Sequence, residues 1–183
     1  MILPIVGYGH PVLKTRAKDI DMDYPGLAEL IQNMFDTMYN AGGVGLAAPQ
    51  IGLSIRLFIT DGSGFEEEEV SQFKKVFINP VIEESSGDPW KFNEGCLSIP
   101  GIREDIERLS KVKIKYLDEN FTLHHEEFSG LAARIIQHEY DHIEGILFTD
   151  RISVLRKRLL RKKLLDISKG IVDVDYKMKF VLT

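Results

Sequence analysis

The sequence predicts a single α+β domain. Three segments with helical spacing of apolar residues share one chain with several short segments of alternating pattern. There is no internal repeat and no linker long enough to divide it. At 183 residues, against a typical domain of about 150, the chain reads as one unit spanning 1–183. A chain of this size buries roughly 70% of its unfolded surface and needs no disulfide to stay folded.

The elements follow in order. Residues 24–41 carry Leu27, Leu30, Ile31, Met34, Phe35, Met38 and Tyr39 at 3.6-residue spacing. Asp23 is placed to cap this helix, Pro25 falls in its first turn and Gly42 can end it. Ile55, Leu57 and Ile59 alternate as a strand, and Val76-Phe77-Ile78 reads as another that stops at Asn79-Pro80. Between them, Gly62-Ser63-Gly64 and the run Glu66 to Glu69 make a polar insertion over 62–75, expected as a solvated, mobile loop. Val112, Ile114 and Tyr116 alternate, Asp118-Glu119-Asn120 turns the chain, and Phe121-Thr122-Leu123 completes a hairpin. Ser129 caps a second helix running to about Glu144, and Ser153 caps a third that ends near Gly170. The tail, 171–183, alternates through Val172, Val174, Tyr176, Met178 and Phe180 and predicts a strand or an extended arm.

Composition excludes several functions. Hydrophobic residues at 44% and charged residues at 28% belong to an ordinary soluble protein. A net charge of −5 argues against wholesale coating of nucleic acid, although a local basic patch could still bind it. The single cysteine, Cys96, forbids an intramolecular disulfide and fits a reducing compartment. No apolar run approaches the roughly 20 residues that span a bilayer. The N-terminal Met1-Ile2-Leu3-Pro4 lacks the basic start and cleavage site of a signal peptide. A cytoplasmic protein with no membrane partner is expected.

His138-Glu139-Tyr140-Asp141-His142 is the most informative stretch. On a helix, residues i and i+4 share a face with Cβ atoms about 5–6 Å apart, so both imidazoles can grip one metal ion. Glu139 lies about 100° further round, where a general base can flank the metal without binding it. Leu131 and Ile135 share the face of His138 and His142, which points the imidazoles toward the core or a cleft. Buried imidazoles need partners, and a metal supplies one.

Two histidines do not complete a site, since a catalytic centre of this kind takes three protein ligands and leaves one position open. The extended metalloprotease pattern wants a histidine six residues after His142, where this chain has Phe148, and residues 156–165 contain no glutamate. The remaining candidate is Cys96, in Glu94-Gly95-Cys96-Leu97-Ser98-Ile99-Pro100-Gly101, a turn rich in glycine and proline. A zincin-type peptidase and a non-enzymatic metal-binding module stay open as rivals. The module would have no use for Glu139.

Three segments match one family in order and spacing. Gly43-Val44-Gly45-Leu46-Ala47-Ala48-Pro49-Gln50, Glu94-Gly95-Cys96-Leu97-Ser98 and Gln137-His138-Glu139-Tyr140-Asp141-His142 resemble the three motifs of the peptide deformylases. These metal enzymes remove the formyl group from the N-terminal methionine of nascent bacterial proteins. The likeness runs from about residue 3 to about residue 165. It implies a helix bearing the two histidines, enclosed by small antiparallel sheets. It implies Cys96, His138 and His142 as metal ligands and Glu139 as the catalytic acid and base. Gln50 and the Leu97 backbone N–H would be donors to the developing oxyanion, and Gly45 would pair its backbone with the substrate. Val44, Leu131, Ile135 and the ring of His138 would line the methionine pocket, Arg103 would border the cleft, and Glu94 with Arg108 would hold the cysteine turn.

The chemistry agrees with these roles. Hydrolysis of a formyl amide needs an activated water, a stabilised oxyanion and a proton for the leaving amine. By composition, one thiolate and two imidazoles form a normal zinc set. The resemblance instead implies ferrous iron, with nickel or cobalt as active substitutes and zinc commonly poor.

The third helix carries Arg156, Lys157, Arg158, Arg161, Lys162 and Lys163 on an otherwise acidic protein. The charge pattern reads as a solvated face over an apolar stripe of Leu155, Leu159, Leu160 and Leu164. The resemblance adds a contact with ribosomal RNA, because some deformylases dock their C-terminal helix at the ribosome. His10, His124 and His125 have no motif around them and read as surface or structural residues.

Overall fold

The computed structural model describes residues 1–65 and 68–181, with only the backbone of 68 and 69. The elements, in order, are β1 (Ile5–Val6), α1 (Leu27–Asn40), β2 (Gly45–Ala47), β3 (Leu57–Asp61), the single turn α2 (Glu68–Ser71), β4 (Lys74–Cys96), β5 (Ile99–Leu117), β6 (Leu123–Ser129), α3 (Gly130–Ile143), α4 (Val154–Ser168) and β7 (Met178–Lys179). The class is α+β as expected. One antiparallel sheet in the order β2-β3-β4-β5-β6 dominates, and β1 and β7 form a separate parallel pair.

The long strands depart from the sequence reading. Val76-Phe77-Ile78 does not end at Asn79-Pro80; β4 runs on to Cys96, with register shifts at Ile78/Val81 and Ser86/Pro89. Pro80 and Pro89 fall at those shifts, because a proline has no N–H to give the ladder and is tolerated at a bulge. Asn79 takes a φ of 49° there, and its side chain bonds the Ile20 backbone at both ends, at 2.7 and 3.0 Å. The expected hairpin through Asp118-Glu119-Asn120 is present between β5 and β6. The residues of β3 are all buried, so its Ile59 and Phe58 reach core on both faces of the sheet.

Helix boundaries carry two corrections. Asp23 does not cap α1; the N-cap is Gly26, at φ 69°, without a side-chain bond. Ser129 stands at the N-cap of α3 but its hydroxyl bonds none of the first-turn amides, whereas Ser153 accepts from the Arg156 amide at 3.2 Å and caps α4 as expected. The insertion is less free than a mobile loop, since Val70 and Phe73 are buried in the core beside Phe77. Of its acidic run, Glu66 and Glu67 lie outside the described residues.

The core assembles around α3. Its Leu131, Ile135, Ile136 and Ile143 pack with Phe58, Phe77 and Tyr116 of the sheet, where the Phe58 and Phe77 rings stack at 4.6 Å. Fully burying one such side chain stabilises by roughly 1.5–3 kcal/mol. α1 contributes Ile31, Met34, Phe35 and Met38 to a second cluster, while Tyr39 at the end of its apolar run stays exposed. A third cluster joins Leu160, Leu164 and Ile167 of α4 to Ile99, Ile102 and Phe148. The predicted apolar stripe of α4 therefore splits: Leu155 and Leu159 are 66% and 64% exposed, among the cations. Among the described residues no helix is long and apolar enough to cross a membrane.

Candidate metal centre and active site

Helix α3 is buried nearly all round, and it carries Arg134, Gln137, Glu139, Asp141 and His142 among its buried residues. A buried polar group without a partner costs roughly 1–3 kcal/mol, so these side chains identify what surrounds the helix. Gln137 donates to the Leu109 carbonyl at 3.0 Å. Asp141 accepts from Arg108 at 2.8 Å and from Arg151 at 2.6 Å. Arg134 donates to Glu94 at 2.8 Å and to the Ile106 carbonyl at 2.9 Å, with its guanidinium 4.5 Å from the Trp90 ring centre.

Cys96 is the last residue of β4, and the turn that follows is only Leu97-Ser98 before Ile99 opens β5. Gly95, Pro100 and Gly101 belong to the strands, so the turn is tighter than the sequence reading placed it. This hairpin end brings the Cys96 Sγ within 3.4 Å of His142 Nε2. The ligand atoms of Cys96, His138 and His142 all lie within 4.8 Å of one another. Donors around a tetrahedral metal at the usual bond lengths stand about 3.5 Å apart, so the set fits a single ion with little movement. Phe148, at the position where the protease pattern wants a ligand, is buried and lays its ring beside His138 at 6.2 Å.

A second partner orients His138, a part of the site that sequence spacing does not reveal, whereas His142 Nδ1 is buried with no hydrogen-bond partner among the described residues. Glu94 Oε2 accepts from His138 Nδ1 at 2.9 Å, which leaves Nε2 for a metal. The expected Glu94–Arg108 pair is present, at 2.7 and 3.0 Å, with both side chains buried. Burial alone would raise the Glu94 pKa, but the bonds from His138 and Arg108 outweigh it and hold the group well below the usual carboxylate range. His142 is kept neutral by burial and by the neighbouring His138 and Arg108 charges, the form a metal ligand needs. Burial opposes charge on His138, yet its bonds to Cys96 and Glu94 raise its pKa well above that of a free imidazole.

Gln50 is 2% exposed, and its Oε1 accepts from the Ala47 amide at 2.9 Å. That bond turns the Nε2 donor toward Cys96 Sγ and Ser98 Oγ, each at 3.5 Å. Glu139 is buried, and its Oε2 has no hydrogen-bond partner among the described residues. Burial pushes its pKa up to about 7, with the His138 charge acting against the shift. A Cβ on Gly45 would lie 2.4 Å from Glu139 Oε1, so only glycine lets the strand pass this close to the carboxylate.

These groups border one cavity of about 570 Å³. Its walls include the predicted Val44, Gly45, Gln50, Cys96, Leu97, Arg103, Leu131, Ile135, His138 and Glu139; His142 stands behind, completing the donor set. Arg103 is exposed and held by Asn93, donating to its Oδ1 at 2.8 Å. Sequence reasoning missed Phe65 and Phe92, which also line the cavity, and the tail residues Val174 and Tyr176. The even-numbered alternation of the tail was the available signal for the last two. The other histidines are surface or structural residues, as expected: His10 Nδ1 accepts from the Val12 amide, His124 pairs with Asp118 at 2.8 Å, and the exposed His125 meets Glu83 at 3.3 Å.

Known proteins are similar to this chain in sequence and in fold. The family model described as polypeptide deformylase matches residues 2–158. Peptide deformylases of Christiangramia forsetii and Cytophaga hutchinsonii are 59% and 54% identical, each over 98% of this chain and over 96% and 98% of their own lengths. Solved peptide deformylases from Legionella pneumophila and Plasmodium falciparum both superpose with a TM-score of 0.82. Their identities are 40% and 38%, covering 93% and 91% of this chain and 98% and 95% of theirs. The family match ends before the tail.

Proposed function

The chain belongs to the polypeptide deformylase family, and from that premise we propose how its residues divide the work. The enzyme is a hydrolase that removes the N-formyl group from the formyl-methionine of nascent polypeptides and releases formate. Cys96, His138 and His142 hold one divalent ion, ferrous iron, for which nickel, cobalt or zinc can substitute. When bound, such an ion supplies a Lewis acid and lowers the pKa of water from 15.7 toward about 7.

The remaining steps fall to the chain. Glu139 takes the proton of the attacking water as general base and passes it to the departing amine nitrogen as general acid. The water oxygen joins the formyl carbon, the C–N bond breaks, and formate and a free amine leave. Gln50 and the Leu97 N–H donate to the oxyanion as it forms, each donor contributing roughly 3 kcal/mol. Gly45 offers its backbone to the peptide, while Val44, Leu131, Ile135 and the His138 ring receive the methionine side chain. Arg103 borders the cleft. The convergence of three metal donors, a buried carboxylate and an oriented amide on one cavity carries this reading.

The test is formate release from formyl-Met-Ala-Ser by iron-loaded enzyme under anaerobic conditions, beside Glu139→Gln. Release by the wild type and a loss of 10²-fold or more in the variant, with metal still bound, are expected. Full metallation without release would overturn the reading.

For the partner, α4 supports a contact with ribosomal RNA. Arg156 is engaged with Glu104 and Lys157 with Asp150. Arg158, Arg161, Lys162 and Lys163 project from the exposed face beside Leu155 and Leu159, a cationic strip suited to phosphates. The cytoplasm, where nascent chains emerge, is the compartment this activity requires.

A further inference from the structure

The tail beyond α4 reaches back over the cysteine turn. Its residues alternate between exposed and half-buried from Ile171 to Phe180, with the even-numbered ones facing inward. Met178 and Lys179 pair in parallel with Ile5 and Val6, and the amides of Ile5 and Gly7 donate to the Lys177 and Lys179 carbonyls at 2.9 Å. The Phe180 ring occupies the space a Cβ on Gly7 would need, so the end of the strap is seated against the N-terminal segment. Val174 and Tyr176 become part of the cavity wall, and Tyr176 Oη donates to the Leu97 carbonyl at 2.8 Å. The next carbonyl, that of Ser98, accepts from the Tyr8 amide at 2.9 Å, and the Ser98 hydroxyl receives Gln50 at 3.5 Å. Three segments remote in sequence thus hold two consecutive residues.

We propose that Tyr176 is a positioning residue for deformylation: by holding the Leu97 carbonyl it fixes the turn that aims the Leu97 amide at the oxyanion. This rests on the deformylase reading and on the Leu97 role within it. A two-residue hairpin end has few bonds of its own, and an oxyanion donor must sit within tenths of an ångström of its place to act in the transition state. The phenol makes no bond to substrate in this role, so its effect falls on kcat and leaves ground-state binding alone.

Tyr176→Phe removes one oxygen and keeps the ring that packs against the second core cluster. With formyl-Met-Ala-Ser, kcat should fall about 3- to 10-fold, the range of one hydrogen bond of roughly 0.5–1.5 kcal/mol. KM, and inhibition by the product Met-Ala-Ser, should stay within twofold. Lys177→Ala, an outward-facing neighbour, should match the wild type. An unchanged kcat in Tyr176→Phe, or a rise in KM with kcat held, would overturn the proposal while wild-type turnover still upheld the deformylase reading. Inactive wild-type enzyme would instead overturn that reading, and this proposal with it.

Discussion

Glu94 joins the candidate metal centre to the buried ion network: its Oε2 accepts from His138 Nδ1 at 2.9 Å while Arg108 and Arg134 donate to the same carboxylate at 2.7–3.0 Å. That bond fixes the orientation of the imidazole and keeps Nδ1 as the donor to Glu94, so Nε2 is the nitrogen available to a metal. Glu94→Gln should lower metal affinity about 10–100-fold, as loss of an outer partner of a histidine ligand does. It also takes from the buried Arg134 its carboxylate partner, while Arg108 keeps Asp141, and loss of a buried counter-charge costs about 3–5 kcal/mol. Chelator competition and urea unfolding of the same variant measure the two effects separately.

Gly45 and Glu139 cannot both keep their places if a methyl group is added. Gly45→Ala should leave the fold intact, displace the carboxylate by the order of an ångström and reduce kcat about 10²-fold. Metal content, measured on the same sample, should be unchanged, because neither residue is a ligand.

Iron and a thiolate make an oxidisable centre. Iron-loaded enzyme should lose activity steadily in air, and nickel-loaded enzyme should keep it over the same hours. Full retention by the iron form through prolonged aeration would remove ferrous iron as the assignment.

Charge reversal of Lys162 and Lys163 should weaken co-sedimentation with ribosomes and flatten its salt dependence, with formate release from a short peptide unaltered. Equal co-sedimentation by the variant and the wild type at every salt concentration would dismiss the contact.

Asp150 ties the N-terminal segment to α4. Burial alone would raise its pKa, but bonds from Lys14, from Lys157 at 2.8 Å and from the Leu147 amide at 2.9 Å hold it at about 2. The unfolded chain takes up this proton near pH 3.9, so the stabilisation is complete above that pH and is lost as pH falls toward 2. Solvent screening at this partly exposed group limits it to about 1 kcal/mol. Asp150→Asn should therefore be less stable at pH 7 by about that amount, and the difference should close between pH 4 and pH 2 in urea titrations.

Much of the site is legible in the sequence. The spacing of His138 and His142, with Glu139 between them, depends only on helix geometry, and Cys96 is the remaining ligand candidate once Phe148 and the absence of glutamate over 156–165 weaken the alternatives. The apolar face of α1 is an equally local matter, whereas the burial of α3 nearly all round is not. The buried anchors of the insertion, Val70 and Phe73, are hidden by the acidic run that precedes them. Leu155 and Leu159 fit the same helical stripe as Leu160 and Leu164, yet only the latter pair meets the third core cluster.

The sequence by itself determined the chemistry of this protein: which side chains can bind a metal, which carboxylate can move a proton, and which motifs stand in series. Tertiary structure alone decided what aims them. Glu94 meets His138 across 44 positions, Gln50 meets Cys96 across 46, and Tyr176 meets Leu97 across 79. The physical reason is that periodicity sets the face a residue occupies, while contacts between distant segments depend on strand register, bulges and core packing, which no local pattern encodes.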